Sequence, residues 1–199
     1  MSKLTRCCFF VLVLLNYSSL SAQNSYEYAA SKAHPFGLPN PDAPEQIKDY
    51  APMIGECDCK SIARNPDQTW QTEPVDMIWR FKYIMNGFGV QDETLKSDGG
   101  HSGSIRQFDQ DSAKWFVHYY SNKGLTPVLS AWSGNKKDNG DIVLYRPQKA
   151  PNDMDGFYKI TFHDISEEGF KWLGEWVNTT ETFSFPTWKI DCKKRKNSE

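Results

Sequence analysis

Histidine and cysteine are both scarce in this sequence, with four and five residues among 199. No histidine cluster or second cysteine pair completes a metal-ligand set, so no metal is expected. A Gly-rich phosphate loop, an HExxH pair and a nucleophile elbow are all missing. Their absence leaves phosphate-loop, zinc-peptidase and serine-hydrolase chemistry without a signature, and no cofactor is expected. Basic charge is not in excess: 23 Lys+Arg face 25 Asp+Glu. That balance lacks the footprint for nucleic acid or an anionic membrane. The one basic run, Lys193, Lys194, Arg195 and Lys196, reads as a solvated terminus. No apolar run is long enough to span a bilayer as a helix. The longest early one, Cys7 to Leu15, follows Lys3 and Arg6 and precedes Ser21-Ala22. That order reads as a secretory signal over residues 1–22. The mature chain is then expected to be exported, to periplasm or beyond, without stable membrane insertion.

A long helical period is also lacking, which argues against parallel βαβ units. What the chain has instead is alternation. Val75, Met77, Trp79, Phe81, Tyr83 and Met85 alternate with Asp76, Ile78, Arg80, Lys82 and Ile84. Similar segments recur at 56–64, 88–96, 103–109, 113–121, 127–132, 141–146, 156–165, 169–178 and 186–192, separated by turn signals such as Asn86-Gly87. Asp42-Ala-Pro reads as the capped start of a short helix, with Pro44 in its first turn. The expected class is all-β: a single antiparallel barrel of about ten strands with a short N-terminal helix. Residues 23–53 form the arm and helix, and 54–199 the barrel domain. Aromatic residues make up 14% of the chain, with 7 Trp. Barrels of about eight to ten strands hold side chains or one small ligand inside, so a ring-lined cavity is expected.

After the signal three cysteines remain: Cys57, Cys59 and Cys192. An exported chain favours one bridge and one free thiol. A bridge from either Cys57 or Cys59 to Cys192 would staple the first strand to the last, as closure of a barrel requires.

The polar residues on apolar strands are the candidates for chemistry. His118 lies in Trp115-Phe-Val-His-Tyr-Tyr120, apolar on both faces, and is expected to be largely buried. His163 alternates with Phe157, Lys159 and Thr161, whereas Asp164 points the other way. His118, His163 and Tyr120 are the expected proton carriers. Arg106 shares a face with Ser104 and Phe108; turned inward it would grip an anion in bidentate fashion. Trp79, Trp115 and Trp172 supply ring faces for a ligand. Glu175 lies between Trp172 and Trp176, on the opposite face unless a bulge near Gly174 reverses it. Arg80 reads as an outer-face residue.

Several segments, in this order, resemble a known group. They are Ile54-Gly-Glu-Cys-Asp-Cys59, Trp79 through Glu93, Gly103-Ser-Ile-Arg-Gln-Phe-Asp109 with Trp115, Phe162-His-Asp-Ile165, Phe170-Lys-Trp172 and Thr187-Trp188. Together they resemble secreted bacterial calycin-like barrels, neighbours of lipocalins and nitrobindin and largely of unassigned function. The resemblance implies a ligand cavity. It also implies a Gly-x-Trp opening packed on a late arginine. Here Gly55-Glu-Cys57 stands in that place, Arg195 is the late arginine, and a Cys57–Cys192 bridge is the implied closure of that end. Such folds host carriers, haem binders and some enzymes. Rings for a pyranose face, Arg106 for a carboxylate and His or Tyr as proton carriers are the parts for β-elimination on a uronic acid. The expected function is a lyase or dehydratase on small acidic saccharides. The alternative is a non-catalytic carrier or sensor of an apolar or haem-like ligand, with His118 or His163 as axial ligand.

Overall fold

The computed structural model describes residues 26–196. The signal segment, with Cys7 and Cys8, lies outside the described residues. The chain forms ten strands: β1 (Gly55–Ala63), β2 (Val75–Ile84), β3 (Gly89–Lys96), β4 (His101–Asp109), β5 (Lys114–Ser121), β6 (Ser130–Lys136), β7 (Ile142–Pro147), β8 (Gly156–Ser166), β9 (Gly169–Asn178) and β10 (Ser184–Lys194). Each pairs antiparallel with its neighbour in sequence, and β10 returns to β1, closing a barrel. Closure leaves no sheet edge to template aggregation. One face of each strand therefore lines the interior. On β2 that face is Met77, Trp79, Phe81 and Tyr83, all buried.

Two departures from sequence expectation have clear causes. The sixth strand runs Ser130–Lys136 rather than 127–132. Gly134, which reads as a turn residue, sits inside it. A Cβ there would approach the Val143 carbonyl oxygen to 2.0 Å, so the glycine is required by close packing on β7. The expected helix is a 3₁₀ segment, Glu45–Met53, and no side chain caps it. Asp42 does not act as N-cap; its N–H donates to Asn40 Oδ1 at 2.9 Å. Three residues per turn is the 3₁₀ period, and Ile47, Tyr50 and Met53 accordingly fall on one buried face. Burial of side chains such as Ile47 and Met53 contributes about 1.5–3 kcal/mol each.

That face plugs one end of the barrel. Tyr50 meets Trp115 edge-on at 4.9 Å and Phe162 at 6.1 Å. Trp115 Nε1 donates to Asp49 Oδ2 at 3.0 Å, tying the plug to β5. Lys194 Nζ donates to the Pro52 carbonyl at 2.8 Å, tying it to β10. The arm before the plug is pinned on the β2–β3 turn: Tyr83 N–H donates to Phe36 O, and Tyr28 N–H to Asn86 Oδ1. At the opposite end no helix among the described residues covers the barrel, and the loops 64–74, 97–100, 122–129, 148–155 and 179–183 surround the mouth.

The closing seam carries a disulfide. It joins Cys59 to Cys192, not Cys57 to Cys192. Register decides this: Cys59 stands directly opposite Cys192, while Cys57 stands opposite Lys194. Cys57 is a buried free thiol, and burial pushes its pKa up to about 11. Arg195 closes the same seam from outside, donating to Asp58 Oδ1 at 2.7 Å and Glu56 Oε2 at 2.8 Å. The basic run at 193–196 is thus partly structural: Lys193 and Lys194 belong to β10. Among the described residues no helix is long and apolar enough to cross a membrane.

Candidate functional site

Between the plug and the mouth lies a cavity of about 280 Å³. Its wall has two characters. One side is aromatic: Trp132 from β6, Tyr158 and Phe162 from β8, Trp172 from β9 and Trp188 from β10. The other is polar: Asp92 and Thr94 from β3, and Ser102, Ser104 and Arg106 from β4. Trp79, Tyr119 and Ser130 also line it, together with Arg146 from β7 and the aliphatic side chains of Val117, Leu144, Ile160 and Ile190.

Arg106 and Arg146 differ in their partners. Arg106 lies deep and is paired with Asp92, and both side chains are about 3% exposed. Trp79 Nε1 donates to the second Asp92 oxygen at 2.7 Å. The guanidinium also lies 5.1 Å from the Tyr50 ring centre and 5.2 Å from that of Phe81. Its charge is therefore compensated within the protein. Arg106 Nε and Tyr50 Oη nevertheless have no hydrogen-bond partner. Burial pushes the Tyr50 hydroxyl up to about 12, so it stays protonated.

Arg146 reaches the cavity from the end of β7, on the same face as Ile142 and Leu144. Its guanidinium lies 4.5 Å from the Trp132 ring centre and 5.8 Å from that of Tyr158. Two donors are used on neutral groups: Nη1 to Ser130 Oγ at 3.0 Å and Nη2 to Gln148 Oε1 at 2.6 Å. A guanidinium has five donors, so three remain. No carboxylate within the described residues forms an ion pair with it. Trp132 Nε1, on the same wall, is buried without a partner. At the rim Lys96 lies 4.3 Å from the Trp188 ring centre, and burial pushes its pKa down. The upper lumen thus presents cations on aromatic faces, beside hydroxyls and an unused indole N–H. Such a surface recognises an oxygen anion carried on a body with one apolar face.

The structure brings Trp79, Trp172 and Arg106 into the lumen. Trp115 is interior but packs against the plug and does not line the cavity. His118 is only half-buried and faces outward, because Trp115, Val117 and Tyr119 take the inner face of β5. The expectation of a largely buried His118 is corrected accordingly. Tyr120 also faces outward, lying over Gly103 and accepting from Gln91 Nε2 at 2.7 Å. His163 is on the outer face too, since Phe162 and Ile160 point inward. A register shift between His163 and Ser166 brings Asp164, at φ +51°, to the same side, 3.5 Å from His163 Nδ1. Strict alternation had placed Asp164 on the other face. Glu175 is buried on the outer side, 4.0 Å from Lys159, so no bulge turns it inward. Arg80 is outside as expected, paired with Glu56 and Glu93.

Asp92, Tyr119, Trp132, Arg146, Tyr158 and Trp188 are cavity residues that sequence reasoning missed. The signal for Arg146 was present in Ile142-Val-Leu-Tyr-Arg, where alternation puts it beneath Ile142 and Leu144.

No protein-family model and no curated protein matches the sequence. Among solved structures, the crystal structure of Rv2717c from M. tuberculosis is similar over 78% of this chain and 100% of that one. The identity is 10% and the TM-score 0.49, a likeness that extends to neither ligand nor activity.

Proposed function

We propose that this protein is an exported, calycin-like barrel that binds a small acidic saccharide in its lumen, with the carboxylate on Arg146. The observation that carries the reading is the guanidinium of Arg146, stacked on Trp132 inside the cavity and paired with no carboxylate. The two-sided lumen supports a sugar rather than a wholly apolar ligand. Indole and phenol rings suit the C–H face of a pyranose, and the Thr94, Ser102 and Ser104 side suits its hydroxyls. No histidine lines this cavity, which disfavours a haem held by an axial imidazole there. The Cys59–Cys192 bridge supports export to an oxidising compartment. Arg195, clamped on the first strand, supports the calycin-like kinship.

β-Elimination on the bound uronate is the second reading, favoured by two phenols that flank Trp132. Tyr119 and Tyr158 lie 6.2 and 6.4 Å from it, ring centre to ring centre. Burial raises the Tyr158 pKa, which suits a proton donor to the leaving oxygen. Arg146 would hold the enolate-like charge, with Tyr119 as the group that accepts the proton α to the carboxylate and Tyr158 as the donor to the leaving oxygen.

Calorimetric titration with glucuronate and galacturonate, against glucose and galactose, tests the binding reading. The uronates are expected to bind about 10–100-fold tighter, the range of a charge-assisted pair. Arg146→Met is expected to remove that preference. Equal binding of the neutral sugars, or no binding by any of the four, would sink the proposal. Growth of enoate absorbance with uronate oligosaccharides would add the elimination reading to it.

A further inference from the structure

Beyond the rim of the cavity lies a second depression of about 640 Å³, outside the lumen and against the loops 148–155 and 179–183. Three rings stand in its wall, among amides and the aliphatic side chains of Pro151 and Met154. Trp176 and Phe183 lie 6.2 Å apart, and Phe185 stands beside them. These rings are held in place. Trp176 Nε1 donates to the Gln148 carbonyl at 2.9 Å. Phe183 N–H donates to Asn178 Oδ1 at 3.0 Å. The Arg64 guanidinium lies 4.5 Å from the Phe185 ring centre. Phe183 is nonetheless 56% exposed, so its ring is available to a ligand. The side-chain amides of Gln148 and Asn152 lie at the same depression.

Two hydrogen bonds mark the boundary between the depression and the lumen. On one side Arg146 Nη2 donates to Gln148 Oε1 at 2.6 Å; Arg146 lines the lumen and Gln148 the outer depression. On the other, the hydroxyls of Tyr158 and Thr187 meet at 3.1 Å, again one from each cavity. A carboxylate held on Arg146 is therefore placed at the boundary of two spaces that both carry aromatic rings.

The geometry points to a second sugar subsite in this depression, which takes the next pyranose of an acidic oligosaccharide whose uronate sits in the lumen. The inference rests on the uronate reading of the lumen and adds the length of the ligand. Aromatic faces beside primary amides suit a sugar ring with its hydroxyls. Gln148 Oε1 and Asn152 Oδ1 already accept from Arg146 and from the Met154 N–H, and a plain hydrocarbon chain would leave the amide N–H groups without a partner.

Titration with a uronate monosaccharide, the matching diuronate and the trimer tests it. The dimer is expected to bind about three- to tenfold tighter than the monomer, the worth of a well-placed ring contact. Phe183→Ala is expected to bring the dimer-to-monomer ratio to about one, and Phe183→Tyr, which keeps the ring, to retain the gain. A wild-type ratio of one, or a ratio that survives Phe183→Ala, overturns the subsite and leaves the lumen reading standing. A gain with chain length in alkyl carboxylates, but not in uronates, also overturns it. Absence of binding by every uronate overturns the subsite and the lumen reading together.

Discussion

The two ends of this barrel are built from the same materials and put to opposite uses. At the plugged end Arg106 is buried among Tyr50, Phe81 and Phe162, and Asp92 cancels its charge. At the open end Arg146 lies on Trp132 and Tyr158, and only neutral oxygens accept from it. Both are arginines on aromatic rings. The neighbouring carboxylate makes the first a structural element; no carboxylate among the described residues pairs with the second, and the proposed ligand contact rests on that difference. A helical plug allows the first arrangement because it excludes water and packs Tyr50 down onto the pair. A ring of loops at the mouth allows the second, because water can reach a cation that lacks an ionic partner.

Substitution should separate the two ends. The largest expected effect is at Arg106. Arg106→Met leaves Asp92 ionised and buried without its cation, and should cost about 3–5 kcal/mol in urea unfolding. Adding Asp92→Leu should recover part of that loss, since both charges then disappear. Arg146→Met, by contrast, should change unfolding by less than about 1 kcal/mol while removing the uronate preference. Equal stability losses at the two sites would erase the contrast. Next in size is the seam. The Cys59–Cys192 bridge spans 133 residues of sequence. Replacing both cysteines with serine should lower stability by about 2–5 kcal/mol, as read by thermal unfolding. A loss below that range would mean the strand pairing closes the barrel unaided.

The smallest expected effect is electrostatic, at the outer side of the same seam. Arg80 first, then Arg195, holds the Glu56 carboxyl below its ordinary pKa. A depressed carboxylate contributes stability that is present above its unfolded pKa and lost as pH falls through its folded value. The pair is partly exposed, so the contribution is under about 1 kcal/mol. Wild-type stability should therefore fall as pH drops below about 4.5, the ordinary range of a glutamate. Glu56→Gln should flatten that part of the profile. A variant with an unchanged acid slope would place the acid sensitivity elsewhere.

The contrast between the ends also shows which parts of the molecule could be read from residues alone. Period-two patterning settled ten strands and their order, since each strand has one wet and one dry face. It also placed Trp79 and Trp172 indoors and Arg80 outdoors, and left the side of Arg106 open. Local pattern misplaced His118 because β5 carries apolar residues on both faces, and periodicity cannot choose between two apolar faces. It misplaced Asp164 because a single left-handed residue interrupts the alternation. The cysteine pairing turned on a two-residue difference in register between β1 and β10, which composition does not contain.

Taken alone, then, the amino-acid sequence determined the class of fold, the meander and the existence of a ring-rich interior, because these depend on short-range alternation and turn chemistry. Only the tertiary structure decided which arginine is silenced. That outcome depends on a carboxylate 14 residues away meeting Arg106 across the β3–β4 ladder, while none among the described residues pairs with Arg146. Charge compensation is a matter of distance in space, and strand register, rather than sequence separation, sets that distance.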